Sequence, residues 1–224
     1  MVQAKTSNIP AMLNIKTIQC NMLAENCYVV SDETKECMIV DCGAMGDTEN
    51  QYIANYIKDN GLKPVVHALT HGHFDHMMGA QFVKDAYGVS PTISDRDAEL
   101  YKHFKDDLAS IGFQFTGDAP VIGRCVNDGD EVKFGSHTFK VIHTPGHSKG
   151  CVVYYCAEED VAFTGDTLFR GSIGRTDLPG GNMFQIIQSL RMLTQLPDCT
   201  KVYPGHGDST TIGYELASNP YLDR

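Results

Sequence analysis

The segment THGHFDH, residues 70–76, places three histidines and one aspartate within seven positions, at the end of the β-rich run KPVVHALT. The whole chain has nine histidines in 224 residues, so packing alone gives no reason for three of them to fall here. His71 and His73 project to the same side of an extended loop, because side chains repeat with period two. Open α/β folds place their sites at the carboxyl ends of strands. The sequence therefore predicts an α/β fold with a metal site at one edge of a sheet.

Three further candidate donors stand beside glycine at the ends of predicted strands. They are His147 in TPGHS, Asp166 in FTGDT and His206 in YPGHG. Glycine lets the backbone turn tightly and brings the neighbouring side chain close to a shared centre. Each of them alone is typical of an ordinary loop residue, but together with the histidine cluster they indicate one site.

Taken in order, THGHFDH, TPGHSKG, FTGDT and PGHG resemble the signature of the metallo-β-lactamase superfamily, over a stretch from about Asp41 to His206. The resemblance implies an αββα sandwich, and we interpret residues 1–224 as one such domain. It also implies two metal ions. The implied ligands are His71, His73 and His147 for one ion, Asp75, His76 and His206 for the other, and Asp166 as a bridge.

The donor types agree with divalent metal ions. Imidazoles and carboxylates suit zinc, iron or manganese, of which we prefer zinc. Two cations that share a water molecule generate hydroxide near neutral pH, and the predicted reaction is attack of this hydroxide on a carbonyl carbon. Asp75 is the candidate catalytic residue, which orients the nucleophile while it ligates the second ion. A serine nucleophile is not supported, because no G-x-S-x-G motif is present.

Two other segments resemble one branch of this superfamily. TLFRGSIGRTDLPGGN (167–182) and TTIGYELASNPYL (210–222) are similar to short hydrolases related to glyoxalase II, the hydroxyacylglutathione thioesterase. Arg170 and Arg175 are the candidate substrate-binding residues, since arginine pairs well with carboxylates. Arg175 could instead brace its loop through Asp177. Further substrate contacts are expected from residues 109–124 and from the tail that ends at Tyr221.

Two alternatives remain at this point. An iron-dependent persulfide dioxygenase shares the H-x-H-x-D-H and GRTD stretches, and it would use only His71, His147 and Asp166 on a single iron. A metal-binding module without turnover is the other alternative.

Asp41, at a predicted strand end, is either a hydrogen-bond partner of a ligand histidine or an ordinary turn aspartate.

The composition indicates which binding partners and which cellular compartment to expect. Lysine and arginine number 18 against 28 aspartates and glutamates, for a net charge of −10, which disfavours nucleic acid. No run long enough to cross a membrane and no signal-peptide core is visible. The eight cysteines form no C-x-x-C pair and indicate free thiols in a reducing compartment. We therefore expect a cytoplasmic protein that acts on a small molecule, without nucleic acid or membrane partners, and the oligomeric state stays open.

The chain also carries signals for its secondary structure. The two apolar runs around a charged turn in NCYVVSDETKECMIVDCG predict a β-hairpin. Further hairpins are predicted for EVKF with HTFKVIHT and for CVVYYC with VAFTGD, and single strands for PTISD and KVYPGHG. Helices are predicted for DTENQYIANYIKDNG with Asp47 as N-cap, GAQFVKDAYG, DRDAELYKHFKDDL capped at Asp95, and MFQIIQSLRMLTQL. Residues 109–124 are expected to be irregular.

Overall fold

The computed structural model describes residues 12–110, 112–114 and 121–222, and these contain two six-stranded sheets. The first sheet has the order β1 (Asn14–Cys20), β2 (Glu25–Ser31), β3 (Glu36–Val40), β4 (Lys63–Ala68), β5 (Pro91–Ser94) and β6 (Arg124–Val126). The second has the order β14 (Thr210–Thr211), β13 (Lys201–Pro204), β10 (Val161–Gly165), β9 (Val152–Cys156), β8 (His137–His143) and β7 (Glu131–Phe134). A small hairpin joins β11 (Leu168–Phe169) to β12 (Ser172–Ile173).

Helices cover the outer faces of both sheets. They are α1 (Gly46–Asp59), α2 (Ala80–Tyr87), α3 (Ala98–Lys102), α4 (Phe104–Ser110), α5 (Met183–Leu193) and α6 (Ile212–Ser218). Between the sheets, side chains of both inner faces form the central core, with Phe139 and Phe163 fully buried. Ile53 of α1 packs on the outer face of the first sheet, and Leu190 of α5 packs on that of the second. The predicted αββα sandwich is therefore confirmed.

The direction of the strands brings several strand ends to one edge. Strands β3, β4, β5 and β6 are parallel neighbours, and β10 runs parallel to β13. Strand β8 has the same direction as β10, because each is antiparallel to β9. Parallel strands end at the same edge, so the loops after them meet there.

In the described part of the chain, no helix is both long and apolar enough to span a membrane.

The predicted hairpins, the single strands and the helices at α2 and α5 are confirmed, although some element ends differ. The prediction that Asp47 caps the first helix is wrong. Helix α1 begins at Gly46 after Met45, and the carboxylate of Glu49 accepts the Met45 amide at 2.7 Å. Asp47 lies within the first turn, where its charge favours the helix dipole.

The prediction of one helix capped at Asp95 is also wrong. A 3₁₀ turn, Asp95–Asp97, comes first, and the hydroxyl of Ser94 caps it by accepting the Arg96 amide. Helices α3 and α4 follow, and they are separated at His103. Helix α4 extends to Ser110, so the irregular segment begins later than predicted, and residues 111 and 115–120 of it lie outside the described residues.

Candidate metal centre

The seven side chains predicted as metal ligands meet at the edge where the parallel strands end. Four come from the loop after β4, and one each follows β8, β10 and β13. Their nitrogen and carboxylate oxygen atoms form overlapping groups in which all atoms lie within 4.8 Å of one another. These groups are His71, His73 and His147; His71, His76 and Asp166; and Asp75, His76 and His206. The structure thus brings together all seven, and their role as ligands stays a prediction.

The first donor set consists of His71, His73 and His147. Nδ1 of His73 lies 2.7 Å from Nε2 of His147, and the three ring centroids are 4.5, 4.7 and 4.9 Å apart. Nδ1 of His147 lies 2.8 Å from the carbonyl oxygen of Arg175 and donates to it. Nε2 of His147 therefore carries a lone pair and faces the other two rings.

His71 leaves one nitrogen without a partner. The hydroxyl of Thr70 donates its single proton to Oδ2 of Asp41 at 2.8 Å, so Nδ1 of His71 must be the donor in its 3.1 Å contact with that hydroxyl. Nε2 of His71 then has a lone pair, and among the described residues this buried atom has no hydrogen-bond partner. A buried acceptor costs free energy unless something binds it, and a metal ion fits this position.

The second donor set consists of Asp75, His76 and His206. Nε2 of His206 lies 3.2 Å from Oδ2 of Asp75 and 3.3 Å from Nε2 of His76. Nδ1 of His76 donates to Oδ2 of Asp41 at 2.9 Å, and Nδ1 of His206 donates to the carbonyl oxygen of Leu23 at 3.1 Å. Both rings therefore turn Nε2 toward Asp75, with the tautomer that a metal ligand requires.

Asp166 lies between the two donor sets. Its Oδ2 is 3.5 Å from Nε2 of His147 in the first set, and its Oδ1 is 3.4 Å from Nε2 of His76 in the second. A Cβ atom at Gly205 would collide with Oδ1 of Asp166, and one at Gly174 would collide with its carbonyl oxygen. Gly205, the first glycine in PGHG, therefore lets the turn after β10 and the loop after β13 approach each other closely.

The electrostatics of the centre favour a cation. Burial lowers the pKa of His71, as do the neighbouring imidazoles, and burial together with His147 lowers the pKa of His73 to about 4. Burial lowers the pKa of His76 too, but the carboxylates around it, Asp75 and Asp166 foremost, raise it well above its ordinary value. Burial opposes ionisation of Asp166, yet the histidines hold its pKa below the usual range. Unprotonated donors beside a position that attracts positive charge are what a metal ion requires.

Asp41 holds His76 of the second donor set through a hydrogen bond. Its φ is +52°, and its carboxylate accepts the amide of Thr70 at 2.7 Å as well as the Thr70 hydroxyl and Nδ1 of His76. Of the two readings from the sequence, the structure supports the hydrogen-bond partner of a ligand histidine.

Sequence reasoning missed Asp97, which is 1% exposed and accepts hydrogen bonds from both histidine loops of the first set. Burial raises its pKa, against the effect of those hydrogen bonds. In the sequence, SDRDAE looks like an exposed helix start, and no local signal distinguishes Asp97 from Asp95.

The two predicted substrate-binding arginines are differently placed. Arg175 lines the cavity above the donors, and its guanidinium forms two hydrogen bonds with Asp177, at 2.7 and 2.8 Å. Arg170 is not among the residues that line this cavity. Its guanidinium stands 5.1 Å from the ring centre of Tyr214 and 3.9 Å from a carboxylate oxygen of Asp208.

The cavity has a volume of ≈ 870 Å³, and the donor sets form part of its wall. Asp107 and His103 contribute polar groups, but most of the exposed lining is apolar. The apolar lining comes from Leu23, Phe74, Leu100, Phe169, Ile173, Leu178 and Pro179. A site of this size and character suits a small organic molecule.

The sequence model of the Metallo-beta-lactamase superfamily matches residues 21–206, a range that contains every donor described above. The chain belongs to this superfamily. Its metal site of histidines and aspartates, together with the family, indicates divalent metal ions.

Several known proteins resemble the chain over almost its whole length. It is 36% identical to the hydroxyacylglutathione hydrolase GloC of Haemophilus influenzae, over 94% of this chain and 99% of GloC. The crystal structure of BLEG-1 B3 metallo-beta-lactamase matches with a TM-score of 0.84 at 33% identity, over 93% and 99% of the two chains. TTHA1623 in a di-iron-bound form matches with a TM-score of 0.82 at 34% identity, over 92% and 100%.

Proposed function

We propose that this superfamily member is a two-metal hydrolase that cleaves a thioester of the hydroxyacylglutathione type. The observation that carries the proposal is the convergence of two complete donor sets, with Asp166 between them, on the wall of one cavity. The similarity to the hydroxyacylglutathione hydrolase GloC supports the thioester, and GloC has nearly the length of this chain.

The first donor set would hold one ion and the second donor set the other, with Asp166 shared. When bound, divalent ions supply a water molecule of lowered pKa and polarise a carbonyl group. We propose zinc, because the donors are imidazoles and carboxylates, with iron or manganese as the alternatives that metal analysis would reveal. The di-iron form of TTHA1623 makes iron the stronger alternative.

Asp75 is the residue of this chain that we assign to the catalytic step. Burial opposes its ionisation, but His76 and a hydrogen bond from His206 hold its pKa below the usual value. Its carboxylate therefore stays an acceptor near neutral pH, and it lines the cavity. An acceptor there can orient the proton of an attacking water molecule and receive it.

The apolar lining has two further roles in this proposal. It binds the acyl part of the substrate, and it keeps bulk water from the reacting carbonyl. We propose a small-molecule substrate on these grounds, without nucleic acid or membrane partners. All eight cysteines are free thiols, which supports a cytoplasmic location.

The test combines metal analysis with a substrate panel. We expect two divalent ions per chain and hydrolysis of a hydroxyacylglutathione, in preference to the matched oxygen ester and to a β-lactam. His76→Ala should reduce both the metal content and the hydrolysis, whereas His103→Ala, an exposed histidine of the cavity wall, should keep the metal content.

Three results would each contradict this proposal. Oxygen uptake with a thiol persulfide, together with one iron per chain and an intact thioester, would indicate the persulfide dioxygenase. Faster cleavage of the β-lactam than of any thioester would indicate the activity named for BLEG-1. A protein that holds both ions and turns over none of these substrates would favour the module without catalysis.

A further inference from the structure

Asp97 forms hydrogen bonds to two loops of the candidate centre. It ends the 3₁₀ turn after β5 and is buried. Oδ2 accepts the amide of Gly72 at 3.1 Å and the hydroxyl of Ser148 at 2.6 Å, and Oδ1 accepts the amide of Gly150 at 2.6 Å. One carboxylate therefore receives three hydrogen bonds from two separate segments of the chain.

Those two segments carry the first donor set. Gly72 lies between His71 and His73, and Ser148 directly follows His147. All three bonding groups are donors toward Asp97, so an ionised carboxylate satisfies them all. An asparagine of the same shape would turn an NH₂ group toward one of these donors and leave it unsatisfied.

The glycines of both loops allow this contact. A Cβ atom at position 72 would lie 3.1 Å from the carbonyl oxygen of Asp97, and one at position 150 would lie 2.6 Å from its Cγ. Any side chain at position 150 would push the loop away from the carboxylate. The glycines in THGH and HSKG thus let both histidine loops close on the same residue.

The second donor set has other supports. Its His76 is held by Asp41, and its His206 is held by the carbonyl of Leu23. Within the described residues, the side-chain hydrogen bonds of Asp97 reach the loop of His147 and the stretch between His71 and His73, and none reaches His76 or His206.

We propose that Asp97 is a positioning residue that fixes the distance between the two loops of the first donor set, and thereby sets the affinity of that set for a metal ion. This inference rests on the proposed two-metal function. Removal of such a partner typically weakens metal binding by about 10–100-fold, although the residue never touches the ion.

The test measures Zn²⁺ affinity, by competition with a chromophoric chelator, in two backgrounds. His76→Ala leaves the first donor set intact, and His147→Ala leaves the second donor set intact. We expect Asp97→Asn to weaken Zn²⁺ binding by about 10–100-fold in the His76→Ala background and by less than about 3-fold in the His147→Ala background. Asp95→Asn, which makes the same charge change at an exposed position of the same turn, should alter neither affinity.

A milder variant covers the case in which Asp97→Asn does not fold, which thermal unfolding of the metal-free proteins would show. Ser148→Ala removes one of the three donors, and it should weaken binding in the His76→Ala background alone. Equal weakening in both backgrounds, or unchanged affinity in the first, would overturn the inference while the two-metal function stands. A wild-type protein that binds no metal ion would instead overturn the proposed function itself.

Discussion

Two buried aspartate–histidine pairs of almost the same geometry lie at opposite ends of the first sheet. Oδ2 of Asp41 lies 2.9 Å from Nδ1 of His76 at the metal-binding edge, and Oδ2 of Asp32 lies 3.0 Å from Nδ1 of His137 at the other end. Asp41 follows β3 and Asp32 follows β2, and the antiparallel direction of these strands separates the two pairs.

The pairs differ in what the second ring nitrogen faces. Nε2 of His76 lies 3.4 Å from a carboxylate oxygen of Asp166 and 3.3 Å from Nε2 of His206, at the meeting point of several loops. Nε2 of His137 lies 3.6 Å from a carboxylate oxygen of Glu159. An aspartate–histidine pair is therefore not itself a metal site, and the groups around the second nitrogen decide its role.

The largest expected difference between the pairs is in activity. We expect His76→Gln to lower kcat/KM for thioester hydrolysis at least about a thousandfold, because the second donor set loses a ligand. His137→Gln should leave kcat/KM within about twofold of the wild type and lower the free energy of unfolding by about 2 kcal/mol. Steady-state kinetics and urea denaturation check both, and an equal loss of hydrolysis in the two variants would contradict the comparison.

The Asp32 carboxylate should matter for stability rather than for catalysis. Burial opposes its ionisation, but hydrogen bonds from Thr34, Ser136 and His137 hold its pKa below the usual range. We expect Asp32→Ala to lower the free energy of unfolding by about 3 kcal/mol at pH 7, because the donors of Thr34, Ser136 and His137 lose their shared acceptor. Zinc content should not change.

The pH dependence of that loss follows from the lowered pKa. The unfolded chain binds the proton of Asp32 near pH 4, and the folded chain binds it only at lower pH. The stabilisation is therefore complete above pH 4 and is lost as the pH falls through the folded pKa, so the difference between wild type and variant should shrink at pH 3. Asp59→Ala, which removes an exposed carboxylate, is the control, and a difference that grows toward acid pH would contradict the assignment.

The candidate metal ligands were easier to predict than the residues that hold them in place, for a physical reason. His71, His73 and His76 lie within one short segment, and glycine marks the approach of His147 and His206, so local sequence carries the signal. Asp97 has its role through contacts with chain segments far away in sequence, and a pattern of neighbours cannot show these contacts.

The missed helix α6 illustrates the same limit. Its Glu215 is fully buried, where a sequence pattern would place a glutamate on the polar face. The carboxylate accepts the hydroxyl of Thr210 at 2.6 Å and the amide of Gly171 at 2.8 Å. Strands β7 and β9 were predicted because alternating or continuous apolar runs reflect burial directly, as in EVKF and CVVYYC, whereas no strand was predicted at β1, β6, β11, β12 or β14.

His67 is a buried histidine without an aspartate partner, so it can be compared with the two buried aspartate–histidine pairs. Neither of its ring nitrogens has a hydrogen-bond partner in the described part of the chain, and burial lowers its pKa to about 3. The unfolded chain binds this proton below about pH 6.5, so stability falls as the pH decreases from there toward the folded pKa. We expect His67→Leu to stabilise the protein at pH 5 by about 2 kcal/mol more than at pH 8.

Urea denaturation of the metal-free protein at the two pH values measures this difference. His103→Leu, a change at an exposed histidine, should show no such pH dependence. The same gain at both pH values would mean that packing, and not the missing aspartate, accounts for the effect of His67→Leu.

The smallest effect is expected for the exposed pair of Arg175 and Asp177, which contrasts with both buried pairs. Solvent screens such a pair, and the guanidinium is already occupied by Asp177. The contact that matters for His147 is the backbone carbonyl of Arg175, which Arg175→Met retains. We therefore expect Arg175→Met and Asp177→Ala to change kcat and KM by less than about threefold, both for a thioester that carries a carboxylate and for a neutral one. A rise in KM of about tenfold or more in Arg175→Met, confined to the substrate with the carboxylate, would show that the guanidinium leaves Asp177 to bind substrate.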